Sequence, residues 1–388
     1  MYKNCAKHQY FCIFANCLTT MLGIPYDSKR NFGLDLLRAI AIFFVVHGHG
    51  VHFLANSRFS FLQSVSLPHG VDIFFILSGY LIGYSFLSYA NKNNGVDLRK
   101  TLLFYSRTAL RILPNYYFIL VVYYFLVQGG IIHGNTHEFS VWYFITFTQN
   151  LFSPFYNFYW ESWSLPVQWW FYILFPLALT VFAKRFGAKR TTPIICFFFI
   201  VFSLIYRYSI SDHLTDSFWR DVWLRKTVAS RCDNIYIGVL AAWVRTYMPD
   251  FWQRHSVKSF VIGILLMVAS ILIPRPFGSI YSNVFALTLP PIAIALWLPL
   301  LTRIKSFKTF IGNIVACIGV LSYAMFLTNL MVCQIIDANF ADVFSRMGAW
   351  GYVLYWAIVL CVSYILFLAI ENPFIKIRSR LQKGQANS

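Results

Sequence analysis

Arg38 and His49 are eleven residues apart in the apolar run GLDLLRAIAIFFVVHGHGVHF, which begins at Gly33. At about 100° and 1.5 Å per residue, a helix returns them to nearly the same face roughly 16 Å apart, so both point into one cavity. Asp35 precedes Arg38 by three residues, the spacing of an intrahelical ion pair that holds a guanidinium in place. An imidazole, whose unperturbed pKa is about 6.5, is suited to serve as a base near pH 7. A guanidinium is suited to binding an oxyanion or phosphate. His47 lies about 200° from His49 around the helix and cannot share its face.

Other readings of these histidines stay open. His49 could be a packing residue hydrogen-bonded across the bundle. It could also join His52 and a loop histidine, His133 or His137, around a metal ion, but the sequence brings no carboxylate to complete that set, and no metal is expected. Arg107 and Arg111 stand one helical turn apart at the start of an apolar run, where their forks could hold phosphate or simply follow the positive-inside rule. Asp72 opens another run and is a candidate substrate contact. Arg231 and Asp233 are expected to pair with each other, with a substrate contact as the alternative. Trp163, Trp169 and Trp170 could stack on sugar faces or sit in an interfacial belt.

These residues need elements that cross a membrane. The chain is 58% hydrophobic and 12% charged, against about 25% charged in soluble proteins, which rules out a water-soluble globule. Its 20% aromatic content and lack of a short repeat exclude collagen, coiled coil and disorder. Ten apolar stretches are long enough to span: Leu36–Leu54, Val71–Tyr89, Ile112–Gly130, Leu165–Ala183, Pro193–Tyr206, Ala229–Val244, Phe260–Ile273, Tyr281–Leu301, Ile314–Ile336 and Trp350–Ile370. The expected fold is therefore an all-α, polytopic bundle of about ten transmembrane helices. The net charge of +18 comes from basic clusters between these runs and not from one basic domain, which argues against nucleic acid as a partner.

Basic residues fall on alternate connections: Lys29/Arg30, Lys92 to Arg111, Lys184 to Arg190, Arg245 to Lys258, Arg303 to Lys308 and Lys376 to Lys383. The positive-inside rule puts these six segments, and both termini, in the cytoplasm. Val141–Leu151 is too short to cross and is expected to be interfacial or re-entrant on the outer side. Residues 1–31 form a separate N-terminal segment, whose apolar stretch Gln9–Ile24 resembles a signal peptide without a good cleavage site or reflects a start at Met21. Residues 32–373 form the membrane domain and 374–388 a basic tail; with no soluble domain after the last span, the membrane domain is expected to do the chemistry. The eight cysteines have no metal-ligand spacing and read as reduced thiols.

The helix carrying Arg38 and His49 resembles the first span of the membrane acyltransferase-3 family, bacterial O-acyltransferases that modify surface polysaccharides and other glycosides. GVDIFFILSGYLIG (Gly70–Gly83) is similar to the family's second span, and FYSRTALRILPNYY (Phe104–Tyr117) to the basic segment entering its third. FTQNL with SWSLPVQWWFYILFPL (Ser162–Leu177), LSYAMFLTN (Leu321–Asn329) and the ENP of Glu371–Pro373 continue the likeness in collinear order. The chain departs from the family at Gln168, where members usually carry Glu, at Thr108, often Arg, and at Asn329, frequently His.

The resemblance implies transfer of an acyl group, most commonly acetyl, from coenzyme A to a hydroxyl of a surface glycan such as lipopolysaccharide O-antigen. It implies a bacterial inner-membrane location among membrane lipids. In that frame His49 is the base, with Arg38 and Asp35 in the catalytic set. Arg107 and Arg111 hold acetyl-CoA, and Asp72, Trp163 and Gln168 contact substrate, Gln168 by hydrogen bonds alone. A glycolipid flippase would also suit ten spans with internal charge, though no matching broken helices appear in two halves. A non-catalytic glycan-binding relative fits Gln168 and Asn329 but not the retention of Asp35, Arg38 and His49.

Overall fold

The computed structural model describes residues 31–378 apart from 66, 137–139, 156, 215 and 306–309. Gln9–Ile24 and Met21 lie outside the described residues. Among the described residues all regular structure is helical.

All ten apolar stretches form helices, and capping residues set several of their starts. Asn31 caps α1 (Phe32–Gly50) by accepting from the Leu34 amide at 3.2 Å, while its own amide donates to the Thr302 carbonyl at 2.9 Å. The first span is thereby pinned to the end of a later one. After α2 (Gly70–Asn93) the chain turns through Asn94 and Gly95, both at positive φ. Asp97 then caps α3 (Leu98–Gln128) through the Lys100 amide at 2.6 Å. Next come the short α4 (Val141–Ile145), α5 (Ser164–Phe186) with a 3₁₀ turn, Trp160–Trp163, ahead of it, and α6 (Ala188–Ser209). Gly187, at φ +76°, makes the one-residue link between α5 and α6, a conformation open to glycine at little cost.

The second half comprises α7 (Ser217–Arg225), α8 (Val228–Tyr247), α9 (Pro249–Arg254), α10 (Ser256–Leu272), a π-helical turn at Tyr281–Phe285, α11 (Leu289–Leu301), α12 (Phe310–Asn339), α13 (Ala341–Met347) and α14 (Ala349–Leu366). Among the described residues seven helices are long and apolar enough to cross a membrane. Helices α10 and α11 are apolar but shorter, at 17 and 13 residues. The remaining stretch is α8, which carries charge but lies inside the bundle, buried from Ala229 to Val239.

Helix α8 packs closely on α2, α6 and α11, while α12 packs on α1 and α14. Glycines permit the tightest approach: a methyl group on Gly79 would overlap the Ile235 carbonyl, and one on Gly238 would overlap that of Ile76. Small residues at such crossings are how membrane helices gain packing energy without a hydrophobic drive between them. Large apolar side chains face outward instead, among them Phe118, Phe125, Phe197, Phe198, Leu265 and Trp350. That inside-out distribution is what a lipid solvent selects, and the protein is a multi-pass helical membrane bundle.

The segment Val141–Leu151 turns back into the bundle, with Phe144 and Phe147 buried. Its carbonyls find internal donors: Tyr116 to Phe144 at 2.9 Å, Tyr117 to Ile145 at 2.9 Å, and the Trp170 indole to Phe147 at 2.9 Å. Backbone that leaves the helix needs such donors where water is scarce.

Candidate active site

Helix α1 ends at Gly50, which leaves its last carbonyls without intrahelical partners. The Cys333 thiol reaches the His49 carbonyl at 3.4 Å, and Gly50 lets the Tyr355 ring approach where a methyl group would collide. These contacts fasten the end of α1 between α12 and α14. His49, half-buried, then meets Asn329 of α12, Nδ1 to Oδ1 at 2.5 Å.

The Asn329 amide nitrogen is already committed to the carbonyls of Met325 at 2.9 Å and Phe326 at 2.8 Å, which fixes its oxygen as the atom facing the imidazole. A carbonyl oxygen only accepts, so Nδ1 carries the proton and Nε2 is left as the ring's basic atom. Asn329, singled out in the sequence as a departure from the family pattern, sets this tautomer. His47 faces elsewhere, as its position on the helix requires, with Nδ1 2.8 Å from the Tyr352 hydroxyl.

One face of α1 carries Arg38 at the other end. Its guanidinium holds Asp35 at 2.6 Å, the ion pair read from the sequence, with Asp35 buried and Arg38 partly exposed. On α5, the Gln168 carbonyl accepts from Tyr172 at 2.8 Å and from Ser78 of α2 at 3.3 Å. Gln168 thus works as a hydrogen-bonding residue in the bundle. Near the same end Asn115 donates to Glu371 at 3.1 Å, Arg111 and Arg378 lie close enough to Glu371 to interact electrostatically, and Arg107 and Arg111 lie close enough to Arg378 to do the same. The sequence had offered Arg107 and Arg111 alone for this cluster. Glu371 was read only as the end of the fold, and the fold brings Arg378 back beside it.

The expected Arg231–Asp233 pair does not form. Residues two apart on a helix point about 200° away from each other, so each finds a partner on another element. Arg231 pairs with Asp72 of α2, which also accepts from Asn234 at 3.0 Å. Asp233 pairs with Arg207 of α6 at 2.7 Å, and Arg207 further donates to the carbonyls of Ser230 and Val284 and to the Thr288 hydroxyl. Both pairs are buried. Asp72 is thereby engaged within the protein. Trp163 is buried with its ring edge-on to Phe75, while the partly buried Trp169 stacks on Phe147 at 4.9 Å and the partly buried Trp170 donates its indole N–H to the Phe147 carbonyl.

The histidine set named for a metal does not assemble among the described residues, and His137 lies outside them. The missing carboxylate comes instead from α12. His52 Nε2 meets Asp337 at 2.9 Å, and Cys333 lies 3.5 Å from the other carboxylate oxygen. The ligand atoms of His52, Cys333 and Asp337 all lie within 4.8 Å of one another.

Glu161 escaped the sequence reading because the span was started at Leu165, leaving Glu161 in the outer loop. The 3₁₀ turn carries it inside, where it is 3% exposed. Tyr123 lies 3.0 Å from Glu161 Oε2 and 2.7 Å from Gln334 Oε1. A phenol has one proton, so either Glu161 is protonated and donates to the phenol oxygen or Gln334 presents its nitrogen. Among the described residues the other Glu161 oxygen has no hydrogen-bond partner on another residue. The signal that could have found it is the rule that any ionisable residue near a span deserves a functional reading.

A family model described as an acyltransferase domain matches residues 31–371. An O-acetyltransferase OatA of Staphylococcus aureus is 24% identical over 381 residues, covering 90% of this chain and 58% of that protein. A peptidoglycan O-acetyltransferase OatA of Listeria monocytogenes is 31% identical over 176 residues, covering 41% of this chain and 26% of that protein. The chain therefore spans less than two thirds of the length of these relatives. No solved structure matches the chain.

Proposed function

The chain belongs to the acyltransferase-3 family, and from that premise we propose that it is an integral membrane O-acyltransferase. It moves an acyl group, most simply acetyl, from coenzyme A at the cytoplasmic face to a hydroxyl of a cell-envelope glycan at the opposite face. The observation that carries this reading is the His49–Asn329 contact, which leaves Nε2 as a base on the helix face that also bears Arg38.

Arg107, Arg111 and Arg378 take the phosphates of coenzyme A, since guanidinium forks match phosphate oxygens. The pantetheine arm then runs along α1, past Arg38, toward His49 roughly 16 Å further on. As the acceptor oxygen attacks the thioester carbonyl, His49 Nε2 takes the hydroxyl proton. The tetrahedral intermediate collapses with cleavage of the carbon–sulfur bond, and the proton on Nε2 passes to the leaving thiolate. The products are the ester and coenzyme A thiol. Glu161 with Tyr123 is a second place where a proton can be held beside α12.

The basic connections orient the bundle in a bacterial cytoplasmic membrane with both termini inside. For the acceptor, the sequence reading points to a surface polysaccharide such as O-antigen, whereas the name of the Listeria relative points to peptidoglycan. Membrane vesicles containing the chain and radiolabelled acetyl-CoA test donor and acceptor together. Label in the phenol-extracted polysaccharide supports the first acceptor, and label released by muramidase supports the second. Absence of chain-dependent label from every glycan fraction would overturn the reading.

A further inference from the structure

The end of the bundle opposite Arg107 and Arg111 holds two adjoining cavities that the acyl-transfer reading leaves unused. One, of about 180 Å³, is lined by Arg220, Arg225 and Arg275 with His69 and Asp221. The other, of about 320 Å³, shares His69 and Arg275 and continues between Leu67, Met267, Ile271 and Pro290. The first is basic: Asp221 is the sole carboxylate of its lining, and it is already held by Arg225 at 2.6 Å and Lys226 at 3.3 Å. The second mixes the apolar side chains of Leu67, Met267, Ile271 and Pro290 with polar lining from His69, Ser270 and Arg275. The buried Arg231, which bears electrostatically on the lining residue His69, keeps Nε and Nη1 without an acceptor among the described residues.

Two further facts restrict what can occupy this site. Basic clusters are disfavoured on the outer side of a bacterial membrane, so arginines gathered there call for a purpose other than topology. The second cavity is walled by α10, whose 17 residues reach only about 25 Å, short of the roughly 30 Å hydrocarbon core. Much of α10 is exposed apolar surface, including Ile262, Leu265 and Leu272. A helix too short for the bilayer thins it locally and gives lipid tails a lateral way to the cavity.

We propose that the two cavities together bind a phosphate-headed lipid, with the phosphate among Arg220, Arg225 and Arg275 and the first part of the tail along Met267 and Ile271. A single anionic group answers the surplus of guanidinium donors, and an attached apolar chain answers the adjoining gallery. Two sources share this chemistry: a bilayer phospholipid, and the isoprenoid phosphate that carries a growing glycan. If the source is the glycan carrier, an idea that rests on the proposed acyl transfer, the site holds the acceptor beside His49. Arg225 and Lys226 interact electrostatically with His49 already.

The test is equilibrium binding of radiolabelled farnesyl phosphate to the purified full chain in detergent, which does not depend on catalysis. Farnesyl phosphate is expected to bind about tenfold or more tightly than farnesol, and the double variant Arg220→Gln/Arg275→Gln to lose that advantage. Ile271→Trp, which fills the gallery, is expected to weaken both ligands, and Arg220→Lys/Arg275→Lys to recover most binding. Lys189→Gln/Arg190→Gln, at the other end of the bundle, should bind as the native chain does, and matched thermal unfolding excludes misfolding. Displacement by undecaprenyl phosphate but not by phosphatidylglycerol identifies the carrier lipid; equal displacement identifies bilayer phospholipid. Equal binding of farnesol and farnesyl phosphate, or inorganic phosphate competing as well as farnesyl phosphate, overturns the proposal. So does unchanged binding by the glutamine variant.

Discussion

Replacing Asn329 by Leu keeps the volume of a side chain buried in α12 but removes the oxygen that His49 Nδ1–H donates to at 2.5 Å. The carbonyls of Met325 and Phe326 lose only a side-chain donor. The imidazole keeps a polar hydrogen with no acceptor, and nothing then favours the tautomer that exposes Nε2 as base. Leaving one buried donor unmade costs about 1–3 kcal/mol. At about 1.4 kcal/mol per tenfold, kcat/KM should fall about 5- to 150-fold. The loss should appear in kcat, because Arg107 and Arg111, proposed to hold coenzyme A, sit at the other end of α1. Initial rates of acetyl transfer by protein in nanodiscs, at matched thermal stability, measure it, and Asn329→Asp, which restores an acceptor, should recover most of the rate. A correctly folded Asn329→Leu with more than half the native kcat/KM would refute the argument that Asn329 orients the base.

Three further outcomes follow from the same geometry. Arg107→Ala and Arg111→Ala should each raise KM for acetyl-CoA about tenfold, the worth of one charge-assisted phosphate contact, with kcat changed less in initial-rate kinetics. Asp72→Ala strands the buried Arg231 and should destabilise the bundle by about 3–5 kcal/mol, read as a lower unfolding temperature in detergent, while adding Arg231→Met should recover much of the loss. Arg225, then burial, then Arg231 push the His69 imidazole well below its usual 6.5. The unfolded chain then binds the extra proton first, so stability falls as pH drops below about 6.5 and is untouched above it. His69→Asn should therefore show a smaller loss of unfolding temperature between about pH 7.5 and pH 5.5 than the native chain.

Hydropathy made the ten helices legible, because a span must be long and apolar whatever its neighbours are. The α1 site was legible as well: a helix repeats by geometry alone, so Asp35, Arg38 and the separate faces of His47 and His49 could be assigned from spacing. What stayed hidden was every partner that comes from a distant span. Asn329 meeting His49, Asp337 meeting His52 and Arg378 joining Glu371 each depend on how α12 and α14 pack against α1 and α3. The Arg231–Asp233 expectation failed because closeness in sequence was taken for closeness in space, which a helix denies to residues two apart. Glu161 was missed at a boundary, where a short 3₁₀ turn continues the helix inward past the last apolar residue.

The central claim is that His49 acts as the base of an O-acyl transfer. The most direct measurement is the O-acetyl content of purified envelope glycan by proton NMR. The glycan would come from a deletion strain complemented with the native chain or with His49→Ala, at matched membrane levels. The account predicts an acetyl signal restored by the native chain and absent with His49→Ala. An equal signal from both would contradict it.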